Sequence, residues 1–202
     1  MEASIPASAR PRIQHRRTQA LLRACVVVWI AVCIVIPSRA QDKTSENDVK
    51  AAYLVNFARF LRFAPGAEPR GTFDICILGR DSFGHALDQI TSHESISRHP
   101  VRVLRVPDIT DGRHCTVLFI SVSEGEAIRE DMAILGVADV LTVGDAPDFI
   151  QRGGMIQFVM DADHVRFAVN LDAVNLTHLS LSSELLRVAI SVKGSPAPGG
   201  RR

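Results

Sequence analysis

Apolar positions along this chain form continuous runs, helically spaced sets and alternating stretches, and each pattern predicts a different element. From Asp48 to Phe63, the residues Val49, Ala52, Tyr53, Phe57, Phe60 and Leu61 recur at helical spacing, with Lys50, Asn56, Arg59 and Arg62 elsewhere on the wheel. Asp48 is placed to cap this helix and Pro65-Gly66 to stop it. Phe73 to Leu78 is a short apolar run ending in Gly79, the pattern of a buried strand and its turn, and a helix over Ser82 to Ile90 is expected next. Val101 to Val106 alternates as an outer strand does, and Pro107 ends it. Cys115 to Ser121 has apolar residues pointing both ways, which places it centrally as a parallel strand covered on both faces. Ser123 or Glu124 starts a helix over Glu126 to Leu135, Val140 to Val143 is a strand closed by Gly144-Asp145, and Ala146 to Gln151 is a short helix with Pro147 in its first turn. Gly153-Gly154 turns into a strand over Met155 to Met160. Asp161 to Asp163 then forms a hairpin tip leading into Arg166 to Leu171. Leu181 to Val192 is expected as a closing helix capped by Ser182 or Ser183, and the Pro/Gly-rich tail from Gly194 to Arg202 as disordered.

Strands alternating with helices predict one α/β domain: a mainly parallel sheet with helices on both faces, flavodoxin-like or Rossmann-like in order, with an antiparallel C-terminal hairpin. The expected domain spans residues 48–193, after a flexible segment at 41–47.

The N-terminus has a different pattern. Arg10, Arg12, Arg16, Arg17 and Arg23 precede an apolar run of about 13 residues from Ala24 to Ile36, whereas a membrane-spanning helix needs roughly 20. Pro37 breaks the run, and Ser38-Arg39-Ala40 offers small residues at the two positions a signal peptidase reads. Residues 1–40 therefore read as a signal peptide cleaved near Ala40, with an uncleaved anchor as the alternative. Gln19 and Ala20 do not fit a twin-arginine signal, and the residues before Cys25 and Cys33 do not fit a lipobox. The expected location is the periplasm.

Removing that segment takes six of the 23 basic residues and one of the 22 acidic ones, leaving 17 basic and 21 acidic, a net charge of −4. Such a domain lacks the cationic footprint that phosphate neutralisation requires, so nucleic acid is excluded as a partner. Only Cys76 and Cys115 remain, and an exported chain with two cysteines is expected to pair them. The alternative is two separate buried thiols acting as small hydrophobes. A bond would require their strands to be neighbours, because the Cα atoms must lie within about 7 Å.

Catalytic and cofactor motifs are sparse. Gly79-Arg80-Asp81-Ser82-Phe83-Gly84 sits where a phosphate loop would sit, but it has no Gly-x-Gly-x-x-Gly and no Lys-Ser/Thr. Asp81 would also repel a phosphate at the helix N-terminus. The stretch reads instead as a strand-to-helix turn with Asp81 or Ser82 as cap. His85, His93, His99, His114, His164 and His178 show no metal-ligand spacing, and Asp161, Asp163 and Asp172 lack a calcium-loop pattern. No Gly-x-Ser-x-Gly elbow is present. The expectation is a protein without metal, cofactor or catalysis. As a doubly wound sheet, it would still offer a small-ligand pocket beyond the strand ends, near Gly79, Asp81, Ser82, Gly144 and Asp145.

Seven segments in order together resemble the YfiR/HmsC family of periplasmic proteins. They are Ala52–Phe60, Ile75–Gly79, Asp81–Gly84, Leu118–Ser121, Leu141–Asp145, Gly153–Ile156 and Val165–Phe167. The resemblance implies a regulator that binds the sensor domain of an inner-membrane diguanylate cyclase and holds it inactive, restraining cyclic di-GMP output and biofilm formation. It also implies sequestration by an outer-membrane lipoprotein and a cysteine pair matching Cys76 and Cys115. The chain lacks a second cysteine pair near Ile150 to Gln157, so its single bond reads as structural rather than as part of a disulfide exchange. Tyr53, Asn56, Arg59, Phe60 and Phe63 are candidate partner contacts, with core packing as the competing reading of that helix. Monomer and homodimer both stay open.

Overall fold

Three short strands with no polar face set the architecture: β2 (Phe73–Leu78), β5 (Val117–Ile120) and β6 (Leu141–Gly144), buried along almost their whole lengths. The computed structural model describes residues 39–195, with side chains from Glu46 on. The expected signal peptide, apart from its last two residues, and the expected disordered tail beyond Ser195 lie outside the described residues.

A strand buried on both faces must sit inside a sheet, and here all three do. The sheet has eight strands in the order β10-β8-β7-β6-β5-β2-β4-β3, where β3 is Ser95–Ile96, β4 His99–Val106, β7 Ile156–Asp161, β8 His164–Asn170 and β10 Ser191–Lys193. The sheet is mixed: β4, β2, β5, β6 and β7 run parallel to one another, while β3 on β4 and β8 on β7 are antiparallel and β10 is parallel to β8. Cys76 of β2 lies opposite Leu104 of β4 on one side and Leu118 of β5 on the other. The β7–β8 hairpin closes through Ala162 and Asp163, whose φ values of 45° and 64° suit a two-residue turn that follows the twist of the strands. A separate ribbon pairs β1 (Leu61–Phe63) with β9 (Leu179–Leu181), antiparallel.

Helices cover both faces. On one face α1 (Arg39–Phe60) lays Leu54, Phe57 and Ala58 over Phe158 and Phe167, with the Phe57 and Phe167 ring centroids 4.9 Å apart. α2 (His85–Thr91) adds Leu87 to that core, and Phe83 meets Phe119 edge to face at 4.7 Å. On the other face α3 (Ile109–Gly112) and α4 (Ile128–Leu135) set Ile109, Ile128 and Leu135 against Cys76, Leu78, Leu118 and Ile120. Each such large side chain taken from water contributes roughly 1.5–3 kcal/mol, so two well-filled layers hold the sheet in place. Cys76 and Cys115 are joined at disulfide distance, with Cα atoms 6.0 Å apart. Cys115 lies in the turn before β5 rather than within the expected strand.

Several local expectations give way to tertiary structure. The first helix does not begin at Asp48, which lies inside α1, and it ends at Phe60 because Leu61 to Phe63 pair with β9. The second starts at His85 rather than Ser82, because the Asp81 carboxylate takes the Phe83 and Gly84 N–H groups and holds that stretch in a turn. The expected helix at 126–135 is a 3₁₀ segment, Val122–Ala127, followed by α4, with Gly125 at φ 50° as a kink inside the 3₁₀ segment. Ala146 to Gln151 forms turns wound around Phe149 instead of a helix. The closing helix is also divided: after the short α5 (Leu171–Val174) come β9, then α6 (Ser183–Val188), then β10. Ser182 caps α6 and Ala189 is extended. The β-branched Ile190 and Val192 then favour extended chain: Ile190 N–H donates to Phe167 O at 2.9 Å just ahead of β10.

Candidate functional site

Two regions carry the residues singled out from the sequence: the long first helix and the carboxyl ends of the parallel strands. In α1, the wheel is rotated from the expected one. Lys50, Ala51, Leu54, Val55, Phe57 and Ala58 are buried, as is Leu61 just beyond the helix, while Val49, Ala52, Asn56 and Arg59 face out. Val49 and Ala52 had been expected inside and Lys50 outside. Of the five candidate partner residues, three turn inward. Tyr53 packs its ring against Phe57 and Phe167 with centroids at 5.8 and 5.6 Å, Phe63 packs against Phe73, and Phe60 is half-buried beside β9, its carbonyl accepting from Ser182 N–H. Asn56 and Arg59 are exposed, and Arg59 pairs with Glu94 at 2.7 Å.

The carboxyl-end region is assembled on one loop, the Val122–Ala127 segment that follows β5. The chain turns from β2 to β4 on one side and to β5 on the other, so the crevice beyond β2 and β5 is where a doubly wound sheet offers a ligand site. Here that crevice is filled by the chain itself. Arg80 N–H donates to Ser123 Oγ at 2.8 Å, and Gly79, at φ 83°, has Glu124 and Ser123 standing where a Cβ would be. Asp81 spends one oxygen on the two amides above and the other on Arg105, whose Nε lies at 2.9 Å. Arg105 also grips Asp88 at 2.7 and 2.9 Å. Its hydrogen bond holds the Asp88 carboxyl below the usual range, and the guanidinium is raised in turn, chiefly by Asp88.

Gly144 and Asp145 are likewise engaged. The Phe149 ring fills the space over Gly144 and Gly154, which accounts for small residues at both places. Asp145 Oδ1 accepts from Val122 N–H at 2.9 Å, while Oδ2 lies 3.3 Å from the Lys50 ammonium. Lys50, only 7% exposed, also reaches Glu46 at 2.7 Å and lies 6.0 Å from the Phe158 ring centroid. Gly79, Arg80 and Asp145 thus meet the same loop. Four of the five candidate pocket residues are occupied by internal contacts. Ser82 is the fifth, and its Oγ is buried without a hydrogen-bond partner. Asp131 Oδ2 on α4 is a second such atom; burial, together with the charges of Glu124 and Glu130, pushes that carboxyl up.

Sequence reading missed Lys50, Glu46, Glu124 and Phe149. The Glu46–Lys50 spacing of four residues was the available signal for the first two, since such a pair shares a helix face. Among the described residues, no group of three or more His, Cys, Asp or Glu side chains is placed to hold a metal ion, and no helix is long and apolar enough to cross a membrane.

Comparison with known proteins places this arrangement. No protein of curated function matches the sequence. Among solved structures, a conserved domain protein of Vibrio cholerae O1 biovar El Tor is similar at TM-score 0.48 and 11% identity, covering 71% of this chain and 60% of that one. An ABC domain from Streptococcus pneumoniae, solved in complex with L-Trp, is similar at TM-score 0.48 and 11% identity, covering 70% of this chain and 60% of its own. The chain thus spans less than two thirds of either structure. A family model described as DUF4154, YfiR/HmsC-like, matches residues 47–190, and the chain therefore belongs to the YfiR/HmsC-like family.

Proposed function

We propose that this protein is a periplasmic repressor that binds the sensor domain of an inner-membrane diguanylate cyclase and holds it in an inactive conformation, lowering cyclic di-GMP and biofilm formation. One observation carries the choice of a protein partner over a small ligand. At the carboxyl ends of the strands, Gly79, Asp81, Gly144 and Asp145 are all taken up by the chain's own Glu124, Ser123, Arg105, Phe149 and Lys50. A site so filled leaves recognition to the outer surface, and a repressor needs only to bind one conformation of its partner better than the other. Family membership supports the regulatory role, and a paired Cys76 and Cys115 fit an oxidising compartment. The parallel strands, ordered second, first, third, fourth, fifth along the chain, support a flavodoxin-like reading of the fold. An outer-membrane lipoprotein that sequesters the repressor completes the proposed circuit, and the protein itself performs no catalysis.

The test is recovery of a diguanylate cyclase from solubilised inner membrane on the immobilised protein, with cyclic di-GMP rising when the repressor is deleted and falling when it is restored. Recovery of no cyclase and unchanged cyclic di-GMP would refute the proposal. A second reading, a periplasmic small-ligand sensor, is favoured by the unpartnered Ser82 hydroxyl at the same crevice. A thermal shift with a periplasmic metabolite in the absence of any protein partner would select it.

A further inference from the structure

The Asp145 carboxylate touches two parts of the molecule at once. Its Oδ2 meets the Lys50 ammonium of α1, 95 residues away in sequence, and its Oδ1 holds the Val122 amide at the start of the loop that fills the crevice. Both partners depend on it. The Lys50 ammonium is almost fully withdrawn from water, and a withdrawn cation loses heavily if a carboxylate partner leaves, so its position follows that of Asp145 and Glu46. Besides Asp145, the Val122–Ala127 loop is held by Arg80 N–H on Ser123 Oγ, by Arg152 Nη1 donating to Gly125 O at 2.7 Å, and by Ser121, which accepts from the Ser123 and Glu124 amides. Gly125, at φ 50° and ψ −116°, interrupts the helical course inside this loop, three residues ahead of α4.

We infer that Asp145 is a relay coupling the loop over the strand ends to the pose of α1. Displacing the loop, by a ligand or by a partner, loosens the Lys50 anchor and shifts the outward Val49, Ala52, Asn56 and Arg59 face. As a means of regulating the repressor, this rests on the function proposed above. The coupling itself is a property of the isolated protein. Coupling between two sites is reciprocal, so it must be visible from either end.

Amide hydrogen exchange on the purified protein tests it. Lys50→Met keeps the apolar stem beside Phe158 and removes the ammonium, and is expected to speed exchange of the Val122 amide several-fold. Asp145→Asn is expected to speed exchange of the α1 amides around Glu46 to Lys50 by a similar factor. Val122 protection unchanged in Lys50→Met, while Asp145→Ala releases it, overturns the relay. Should Lys50→Met not fold, Glu46→Gln, which removes one of the two carboxylates on the ammonium, replaces it: an altered Val122 exchange rate supports the relay and an unaltered one overturns it. A protein that binds no cyclase would refute the proposed function without changing either exchange result.

Discussion

The ring of Phe149 occupies the space that a side chain at Gly154 would need. The same ring blocks Gly144, so two glycines at opposite ends of a turn-rich loop serve one fully buried aromatic. Gly154→Ala and Gly144→Ala should each lower stability by about 1–3 kcal/mol, the usual cost of forcing extra volume into a filled core. Urea unfolding measures it, and a further change of Phe149 to Leu in the Gly154→Ala background should recover part of the loss. A Gly154→Ala protein as stable as the parent would show that the ring has room to move.

The Cys76–Cys115 link closes a loop of 39 residues. For loops of this size the entropic estimate is about 4 kcal/mol, so a Cys76→Ala/Cys115→Ala protein should unfold at distinctly lower denaturant with a similar slope. Reduction of the parent should give the same midpoint. The far-UV circular dichroism spectrum should not change, because both cysteines already lie in the core formed by β2, β5 and α4.

Acid should weaken the protein through two arginine-bound carboxylates. Arg105 depresses Asp88. At Asp74 burial acts upward, but hydrogen bonds from Arg102 and Thr72 and the Arg102 charge outweigh it, so that carboxyl is depressed too. A depressed folded-state pKa contributes stability that is present above the unfolded value of about 4 and is lost as pH falls through the folded value. Arg102→Gln and Arg105→Gln should therefore melt below the parent at pH 7 and converge with it near pH 2.

Asp131 has the opposite sign. Its folded-state pKa is raised, so it opposes folding once pH climbs above the unfolded carboxylate value, and the penalty grows until pH passes the folded value. Asp131→Asn should raise the melting temperature at pH 7 and have little effect at pH 3. An equal effect at both pH values would show that packing, not charge, controls that position.

Substitutions on α1 should separate core from surface. Tyr53→Ala removes a ring stacked on Phe57 and set edge to face with Phe167 and should cost about 2–4 kcal/mol, near the range for aromatic truncation in a core. Arg59→Glu breaks only an exposed pair with Glu94, worth less than about 1 kcal/mol. If α1 faces the cyclase, Arg59→Glu should reduce its recovery in pull-down with little change in melting temperature.

What was legible in the sequence is what local pattern alone decides. Phe73–Leu78 and the run after Cys115 could be placed centrally because no polar face was offered to solvent, and the pairing of Cys76 with Cys115 was expected because the other two cysteines, Cys25 and Cys33, fall in the expected signal peptide. The Asp161 to Asp163 turn was readable because its composition breaks two strands. Lys50 was misplaced because its burial is set by Asp145, a residue remote in sequence that no helical wheel contains. The segment from Leu181 to Val192 has helical spacing in its first half, but the sheet edge recruits Ile190 to Lys193, and only the position of β8 decides that. The filled crevice was hidden for the same reason: Glu124 reaches Gly79 only once β2 and β5 are neighbours.

The ribbon that pairs Leu61–Phe63 with Leu179–Leu181 ties an early stretch of the domain to a late one. A chain delivered from its N-terminal end, whether by a ribosome or through a membrane pore, holds one half of that ribbon for more than a hundred residues before the other half emerges. Until then part of the apolar surface that α1 and Leu179 share has no partner from its own chain.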